Sequence, residues 1–318
     1  MLETQDERSE DRPLVTFALF AYNQEKYIRE AVEGALAQTY SPLEIILSDD
    51  CSADSTFAVM KDCSEKYKGP HKIVLNRNER NLGIGAHVNK IINLATGHWV
   101  IMAAGDDVSF PHRTRTVMAL VSNEGDSLGI VHSSATLVSD VGEVIQDTNA
   151  GCWYGNPHDP VDFVVKTRTV LGASQCISKT VANYFGDFDP AIWAEDKIYP
   201  LRAMLLGKRI HFIEEPLLRY RVGVGVSSSW SRRTGTKRQR LDAAIKSLRR
   251  TETLLKQYLK DSEIATSKPL ELEASIQKKL VAINHRISVF GSTTTPWLCT
   301  KPSAIIEHYK SVFKRAII

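Results

Sequence analysis

Residues 14–50 read LVTFALFAYNQEKYIREAVEGALAQTYSPLEIILSDD, and the first fold assignment follows from them. Leu14–Phe20 is almost entirely apolar and rich in β-branched and aromatic residues, which is typical of a strand covered on both faces. Apolar residues then recur at helical spacing over Tyr27–Gln38. A second apolar strand, Leu43–Leu47, leads into Ser48-Asp49-Asp50. Strand, helix and strand in this order predict a βαβ unit.

The same alternation continues along the chain. Further patterns predict helix, strand, helix and strand over Ser55–Lys66, Lys72–Leu75, Ile84–Ala95 and Trp99–Ala103, and then a helix and a strand over Leu201–Leu206 and Arg209–Glu214. Strands separated by helices predict an α/β fold with a mostly parallel, doubly wound sheet. Such sheets bind ligands at the carboxyl ends of their strands. The polar residues that follow each strand are therefore the candidate site residues.

Length and composition limit the classes of protein to which this chain can belong. A chain of 318 residues with 43% hydrophobic residues can bury one large domain and an appendage. The 40 basic and 37 acidic residues leave a net charge of +3, too small to indicate a nucleic-acid partner. Five cysteines without a C-x-x-C pair favour reduced thiols in a cytosol.

The sequence also indicates where in the cell the protein is expected to be. Residues 1–12 lack the apolar core of a secretory signal and are expected to form a disordered tail. No apolar run reaches the roughly 18 to 20 residues that a membrane-spanning helix requires. We therefore expect a cytoplasmic protein, with any membrane contact peripheral and on the inner face.

Helical patterns dominate beyond Trp230. They lie at residues 236–260, Leu270–Phe290 and Ser303–Ile317, and predict a helical C-terminal region over 231–318 after an α/β domain over 13–230. Basic residues are frequent from Lys237 to Lys260. This basic stretch has two interpretations: a solvated face on a helix that packs on the domain or on a second subunit of a homo-oligomer, or a peripheral contact with an anionic membrane.

Three acidic clusters follow predicted strands or lie in loops: Asp49-Asp50, Asp106-Asp107 and Glu195-Asp196. One Asp pair after a strand is usually a turn or a helix cap, but three at one edge of a sheet favour a functional site. The sharpest is Gly105-Asp106-Asp107, which directly follows a predicted strand. Adjacent carboxylates repel unless a cation compensates them, and hard oxygen ligands indicate Mg²⁺ or Mn²⁺ with substrate phosphates. This cluster predicts a metal-bound diphosphate.

The order and spacing of these motifs resemble glycosyltransferase family 2, whose members have the GT-A fold, are inverting and are commonly metal-dependent. The resemblance covers roughly residues 13–229. It rests on Ala21-Tyr22-Asn23, Gln38-Thr39-Tyr40, the segment from Ser48 to Thr56, Asn81-Leu82-Gly83, Ala95-Thr96-Gly97, Gly105-Asp106-Asp107, Ala194-Glu195-Asp196 and Tyr220-Arg221. It implies a GT-A catalytic domain over 13–230, with a Rossmann-like, mostly parallel sheet flanked by helices and a helical C-terminal appendage.

By position, the resemblance implies a donor site. Tyr22 would pack beside the nucleotide base, Asp50 would hold the base or ribose, and Asp107 with Asp106 would bind the metal and diphosphate. The nucleotide-binding set is Phe20, Tyr22, Asn23, Asp50, Asn81, Gly83 and Asp106. The Asn81–Gly85 stretch could bring backbone amides to phosphate or be a plain helix-entry turn.

The resemblance also implies the acceptor side. Asp196 would be the catalytic base that takes a proton from the acceptor hydroxyl. The candidate acceptor contacts are Gly172, Ala173, Trp193 and Glu195. Many family members have a histidine soon after Tyr-Arg, whereas here the sequence continues Val222-Gly223-Val224. A metal-ligating histidine is therefore not predicted, and Arg219 and Arg221 are candidates to offset leaving-group charge.

The expected function is an inverting glycosyltransferase that uses Mn²⁺ or Mg²⁺ and a UDP-, dTDP- or GDP-sugar donor. Its acceptor would be a saccharide or a lipid-linked saccharide in bacterial polysaccharide or O-antigen biosynthesis. One alternative is a nucleotidyltransferase, but that class needs a glycine- and lysine- or arginine-rich loop after the first strand, and Phe20–Glu25 is not such a loop. The other alternative is a catalytically inactive carbohydrate-binding or scaffold protein of the same fold.

Overall fold

The computed structural model describes residues 12–146, 155–224 and 236–292. Several predictions lie outside these residues: nearly all of the N-terminal tail, the domain boundary at residue 230, Cys152, Cys299 and the helix at 303–317. The cysteines that are described, Cys51, Cys63 and Cys176, are free thiols.

Strands and helices alternate through the first hundred residues. The strands are β1 Val15–Ala21, β2 Leu43–Asp49, β3 Lys72–Arg77, β4 Trp99–Ala104, β5 Val108–Ser109, β6 Leu128–Val138, β7 Val144–Gln146, β8 Cys176–Ser178 and β9 Arg209–Arg221. The α-helices are α1 Ile28–Leu36, α2 Thr56–Lys66, α3 Ile84–Leu94, α4 Arg113–Glu124, α5 Pro160–Val165, α6 Lys179–Phe185, α7 Glu195–Leu205, α8 Lys237–Ile264 and α9 Leu270–Ser292. A 3-10 turn at Gly172–Ser174 precedes β8.

The sheet has the order β3-β2-β1-β4-β8-β6-β9-β5, with β7 paired to β6. The strands β3, β2, β1 and β4 are all parallel, as the βαβ pattern predicts. Beyond β4 the sheet is mixed: β6 and β9 are parallel, whereas the other pairs are antiparallel. The α/β prediction is confirmed, and its parallel character belongs mainly to the first half of the domain.

Two hydrophobic cores cover the two faces of the sheet. Along β1, Phe17 and Leu19 point into the core beneath α1, α2 and α4, while Ala18 faces the core beneath α3 and α7. Successive side chains of a strand point to opposite faces, so a strand buried on both faces must be apolar throughout. This requirement explains the nearly unbroken apolar sequence of β1.

The C-terminal helices share one of these cores. Leu255 and Tyr258 of α8 and Leu272 and Ile276 of α9 belong to the same buried cluster as α3 and α7. The helices pack on each other and on α5 and α7. Among the described helices, none is both long and apolar enough to cross a membrane.

One predicted element begins earlier than expected. The pattern predicted a helix over Leu201–Leu206, but α7 begins at Glu195 and contains Pro200. The third acidic cluster, Glu195-Asp196, therefore lies in the first turn of a helix and not in a loop. The following strand also continues past Glu214 to Arg221.

Candidate active site

The end of β1 brings two of the acidic clusters to one edge of the sheet. The Asp50 backbone N–H donates to the Ala21 carbonyl at 2.9 Å, and the Gly105 N–H donates to the Phe20 carbonyl at 2.8 Å. Asp50 therefore follows β2 on one side of β1, and Asp106 follows β4 on the other. Both lie at the carboxyl ends of parallel strands, where such sheets bind ligands.

Asp50 is buried and accepts three hydrogen bonds. Its Oδ1 accepts from Asn78 Nδ2 at 2.7 Å and from the Leu82 N–H at 2.9 Å, and its Oδ2 accepts from the Gly83 N–H at 3.0 Å. Gly83 has a positive φ of 78°, a conformation that glycine adopts without strain. Asp50 thus fixes the turn that opens α3. The Leu82 and Gly83 amides therefore bond a carboxylate within the protein, which favours a helix-entry turn for this part of the Asn81–Gly85 stretch.

A network of polar side chains supports the turn that opens α3. Asn78 Oδ1 accepts from Lys90 Nζ at 2.7 Å, and Ser48 Oγ lies 2.6 Å from His87 Nε2. Burial lowers the pKa of His87 to about 4, so its ring is neutral near pH 7. Phe20 packs edge-on against the His87 ring at 5.4 Å between centroids. Phe20, predicted to bind nucleotide, is partly buried and has this internal ring contact.

The predicted base-binding residues differ in accessibility. Tyr22 is 40% exposed directly after β1, so its ring is open to a ligand. Asn23 has a left-handed φ of 52° and ties two loops together, with its Oδ1 accepting from the Ala53 N–H at 2.9 Å and its own N–H donating to Ser52 Oγ at 2.8 Å. The side chain of Asn81 is exposed to solvent. Tyr22 and Asn81 are available for contact, whereas Asn23 shapes the loop.

Asp106 and Asp107 are each only 6% exposed. The turn that holds them requires glycine at position 105, because a Cβ there would lie 2.4 Å from Gln24 Oε1 and 2.9 Å from the Ala21 Cβ. The Arg221 backbone N–H donates to Asp107 Oδ1 at 2.8 Å, and Arg221 Nε donates to the Asp106 carbonyl at 3.0 Å. The end of β9 therefore fixes the position of this carboxylate pair.

The electrostatics of this pair suit a cation. Burial raises the pKa of Asp107 well above its usual range, and the nearby Asp106 charge raises it further. Burial likewise raises the pKa of Asp106, against hydrogen bonding and the charge of Arg221. Among the described residues no cluster of three or more His, Cys, Asp or Glu side chains could hold a metal. Two carboxylates fit a Mg²⁺ or Mn²⁺ ion that completes its shell with water and substrate phosphates.

Arg221 is engaged within the protein. Its guanidinium donates to the Asp140 carbonyl at 2.8 Å and to Glu30 Oε2 at 3.0 Å, and it stacks over the Tyr27 ring at 4.6 Å from the centroid. It is only 5% exposed. The prediction that Arg221 offsets leaving-group charge is therefore not supported by its contacts, because this arginine braces the Asp106-Asp107 turn.

Asp196 is held by a threonine that the sequence did not single out. Thr169 Oγ1 lies 2.6 Å from Asp196 Oδ2 and 3.4 Å from the Asp196 carbonyl oxygen. That carbonyl would ordinarily accept from the residue four positions later, but this residue is Pro200, which has no N–H. Thr169 therefore orients the Asp196 side chain beside a carbonyl that the helix leaves without its usual donor.

Glu195 and Asp196 form a second pair of closely spaced carboxyl groups. Burial raises the pKa of Glu195 to about 8, and the adjacent Asp196 charge adds to the effect. Burial also raises the pKa of Asp196, against the hydrogen bond from Thr169. A Cβ at Gly172 would lie 2.9 Å from Glu195 Oε1, so the 3-10 turn closely approaches the pair. A carboxyl group with a raised pKa suits proton transfer near neutral pH.

The predicted acceptor residues adjoin the same strand end. The Met102 N–H of β4 donates to the Gln175 carbonyl at 2.8 Å, which joins the 3-10 turn to the strand that ends before Asp106. Ala173 and Tyr220 both pack against a small apolar cluster of Ala135, Leu171 and Leu218. The fold thus places Gly172, Ala173, Glu195 and Asp196 near the carboxyl end of β4.

Trp193 lies just before α7. Its ring is approached by Lys197 Nζ at 5.4 Å and by the Arg250 guanidinium carbon at 5.9 Å, both measured to the ring centroid. Arg250 belongs to α8, so this helix contacts a residue of the predicted acceptor side.

The family model described as "Glycosyl transferase family 2" matches residues 16–142. An uncharacterized glycosyltransferase of Methanocaldococcus jannaschii, MJ1057, is 25% identical over 214 residues, which cover 67% of this chain and 72% of that protein. The succinoglycan biosynthesis protein ExoO of Rhizobium meliloti is 33% identical over 118 residues, which cover 37% of this chain but only 32% of ExoO.

Two solved structures share the fold. S. aureus TarS 1–349 in complex with UDP-GlcNAc has a TM-score of 0.57 and 18% identity, covering 91% of this chain and 76% of that one. The mannosyltransferase PcManGT from Pyrobaculum calidifontis, in complex with GDP-Man and Mn²⁺, has a TM-score of 0.53 and 16% identity, covering 96% and 81%. These likenesses confirm the GT-A architecture, and the family match shows that residues 16–142 of this chain resemble glycosyltransferase family 2.

Proposed function

We propose that this protein is an inverting, metal-dependent glycosyltransferase that moves a sugar from a nucleoside-diphosphate sugar to an acceptor hydroxyl, with Asp196 as the base. The observation that carries the proposal is the pairing of carboxylates at one sheet edge. Asp106-Asp107 follows β4, and Glu195-Asp196 lies beside the turn that bonds β4. The first pair suits a divalent cation that binds a diphosphate, and the second pair suits the acceptance of a proton.

The donor side is supported by an exposed ring beside a fixed carboxylate. Tyr22 offers an accessible aromatic face, and Asp50 is fixed by three hydrogen bonds. Two structures of similar fold hold nucleotide sugars, UDP-GlcNAc and GDP-Man. We infer a nucleoside-diphosphate sugar for this chain, with the base contacted by Tyr22.

Asp107 and Asp106 would hold the divalent cation, which when bound neutralises charge on the diphosphate of the departing nucleotide. The raised pKa values of the pair and the Mn²⁺ of PcManGT support this assignment. The protein's own part is to fix the two carboxylates through Gly105 and Arg221 before the donor arrives. Such preorganisation avoids reorientation during the reaction.

Asp196 would take the proton of the acceptor hydroxyl as that oxygen attacks the anomeric carbon. Attack from the face opposite the nucleotide inverts the anomeric centre in a single displacement, without a covalent enzyme intermediate. Thr169 would hold the carboxylate in place during this step. ExoO acts in succinoglycan biosynthesis according to its name, and a role for this chain in polysaccharide assembly extends that likeness.

Asp107→Ala tests the metal assignment. The variant is expected to remain folded, because the relief of buried repulsion between the two carboxylates offsets the hydrogen bond that the Arg221 N–H loses. Titration of UDP and GDP into wild type should show tighter binding with Mn²⁺ than without it, and the variant should lose that difference. Glu30→Ala is a matched control, since it removes a carboxylate from the outer side of Arg221. Unchanged metal enhancement in D107A would place the cation elsewhere.

Asp196→Asn tests the base. It is expected to bind donor nucleotide normally and to transfer sugar at least about a hundredfold more slowly, the usual scale for a lost general base. Turnover within a few-fold of wild type would exclude Asp196. A nucleotidyltransferase would instead release pyrophosphate from a nucleoside triphosphate, and an inactive scaffold would neither transfer sugar nor hydrolyse any donor.

A further inference from the structure

A groove of about 320 Å³ lies between α8 and the loop before α7. Ala191 and Ile245 contribute apolar surface, and Lys246, Arg249 and Arg250 contribute three cations. These basic residues lie three and four positions apart, so they share one face of α8. We call this feature the basic groove.

The basic groove has an excess of positive charge. Among the described residues that line the groove, Asp242 is the one acid, so Lys246, Arg249 and Arg250 leave a net charge of about two. Neither Lys246 nor Arg249 lies within ion-pair distance of a carboxylate in the described part of the chain. Like charges at this spacing destabilise a helix by about 0.2–0.5 kcal/mol per pair. A bound anion would offset this repulsion among the basic side chains.

The loop that forms the other wall is firmly held. The Asp189 N–H donates to Gln257 Oε1 of α8 at 2.9 Å, and Asn89 Nδ2 of α3 donates to the Phe188 carbonyl at 2.7 Å. A Cβ at Gly85 would lie 2.4 Å from the Ile192 carbonyl oxygen, so α3 and this loop are in close contact. The groove wall is thus braced against both α8 and the helix that follows the Asp50 network.

The basic groove adjoins one residue of the predicted acceptor side, Trp193. Arg250 lines the groove and also approaches the Trp193 ring. Trp193 lies three residues before Asp196. A ligand in the groove could therefore extend past the tryptophan ring toward the proposed base.

We propose that the basic groove binds a phosphate or diphosphate group of the acceptor, with an adjoining apolar chain or sugar face on Ala191, Ile245 and Trp193. The inference rests on the proposed function, because it names the chemical class of that enzyme's acceptor. A phosphate monoester carries close to two negative charges at neutral pH, which matches the net charge of the groove. Guanidinium groups bind phosphate oxygens through paired hydrogen bonds.

Octyl phosphate, octanol and vesicles are the probes. Calorimetry is performed at low salt with EDTA, so that the Asp106-Asp107 pair holds no divalent cation. The double variant Lys246→Ala/Arg249→Ala is expected to bind octyl phosphate at least about tenfold more weakly than wild type, because charge-assisted hydrogen bonds are lost. Wild type should not bind octanol measurably. The control Lys256→Ala/Lys260→Ala removes two exposed cations from the same helix outside the groove, and it should bind like wild type.

The source of the phosphate is decided by a second arm with phosphatidylglycerol and phosphatidylcholine vesicles. Binding to phosphatidylglycerol vesicles that depends on Lys246 and Arg249, without binding of octyl phosphate, would overturn the proposal in favour of a membrane-surface contact. Equal octyl phosphate binding by wild type and the groove variant would also overturn it. Groove-dependent binding in a wild-type protein without transferase activity would overturn the proposed function while keeping the anion site.

Discussion

The Arg202–Asp261 pair joins the helix that carries Asp196 to α8, and Asp261→Asn measures what that junction contributes. Arg202 Nε donates to Asp261 Oδ2 at 2.8 Å and its Nη2 donates to Oδ1 at 3.0 Å. The side chains are 1% and 0% exposed. Gln257 Nε2 also donates to Asp261 Oδ1 at 2.8 Å. Asparagine in this position removes the negative charge and turns an N–H₂ group toward these donors.

The expected cost follows from burial. Removing one partner of a buried ion pair leaves an uncompensated charge and costs about 3–5 kcal/mol. Typical domains have only about 5–15 kcal/mol of stability, so this loss is a large fraction of it. At about 2 °C per kcal/mol for a chain of this size, the melting temperature should fall by roughly 6–10 °C.

Urea unfolding followed by circular dichroism, with calorimetry for the melting temperature, measures this loss. Lys256→Ala is the matched control on α8, because it breaks an exposed i,i+4 pair with Glu252 and should cost no more than about 0.5 kcal/mol. The double variant Arg202→Met/Asp261→Leu should recover most of the loss, since well-packed apolar residues often replace a buried pair without cost. A loss below about 1 kcal/mol for D261N would refute the argument that this pair fixes α7 on α8.

Two further predictions concern the site itself. Glu195→Gln should melt at a higher temperature than wild type at pH 9, and this difference should shrink toward pH 4. The pKa of Glu195 is about 8 in the folded protein, against an ordinary value near 4.3. The wild-type carboxyl therefore destabilises the folded state progressively as the pH rises between those two values. Calorimetry across pH checks this, and a gain that is largest at pH 4 would contradict it. Gly105→Ala should lose about 1–3 kcal/mol, because its Cβ would crowd Ala21 and Ile28, and metal-enhanced UDP or GDP binding should weaken with it. Wild-type stability in that variant would show that the turn can shift without cost.

The first four strands were predictable from sequence because the residues of each strand are enough to indicate it. Trp99–Ala103 was predicted, and β4 runs to Ala104. Buried parallel strands have unbroken apolar sequences, and the helices between them keep a clear amphipathic period. The acidic residues that follow such strands then had to lie at one edge of the sheet. Asp50 lies at that edge because its N–H bonds the end of β1, and Asp106 lies there because the N–H of the preceding Gly105 does so.

The second half of the domain could not be predicted in the same way. Strand β6 buries Ser133 and Ser134 among apolar residues, so its sequence shows neither an apolar run nor a clean alternation. Helix α7 contains Pro200, and because proline usually interrupts a helix, the sequence pattern did not predict the first turn of α7. Thr169 and Asn78 were missed for another reason: their partners, Asp196 and Asp50, lie 27 and 28 residues away in the sequence, and no local pattern reports such a contact.

The two carboxylate pairs are held by different parts of the fold, so donor binding and acceptor binding should respond to different substitutions. Asp106-Asp107 is fixed by the ends of β4 and β9, whereas Asp196 is fixed by Thr169 and by a helix anchored on α8. The family match covers residues 16–142, which include the first pair but neither α7 nor α8. On the proposed function, the donor-binding half therefore belongs to the part of the chain that the family model describes. The acceptor half, with its basic groove and Trp193, lies outside the residues that the family model matches. Changes in α8 should accordingly alter acceptor affinity while leaving donor affinity unchanged, and kinetic analysis of the groove variant K246A/R249A would contradict this division if its KM for the donor rose as much as its KM for the acceptor.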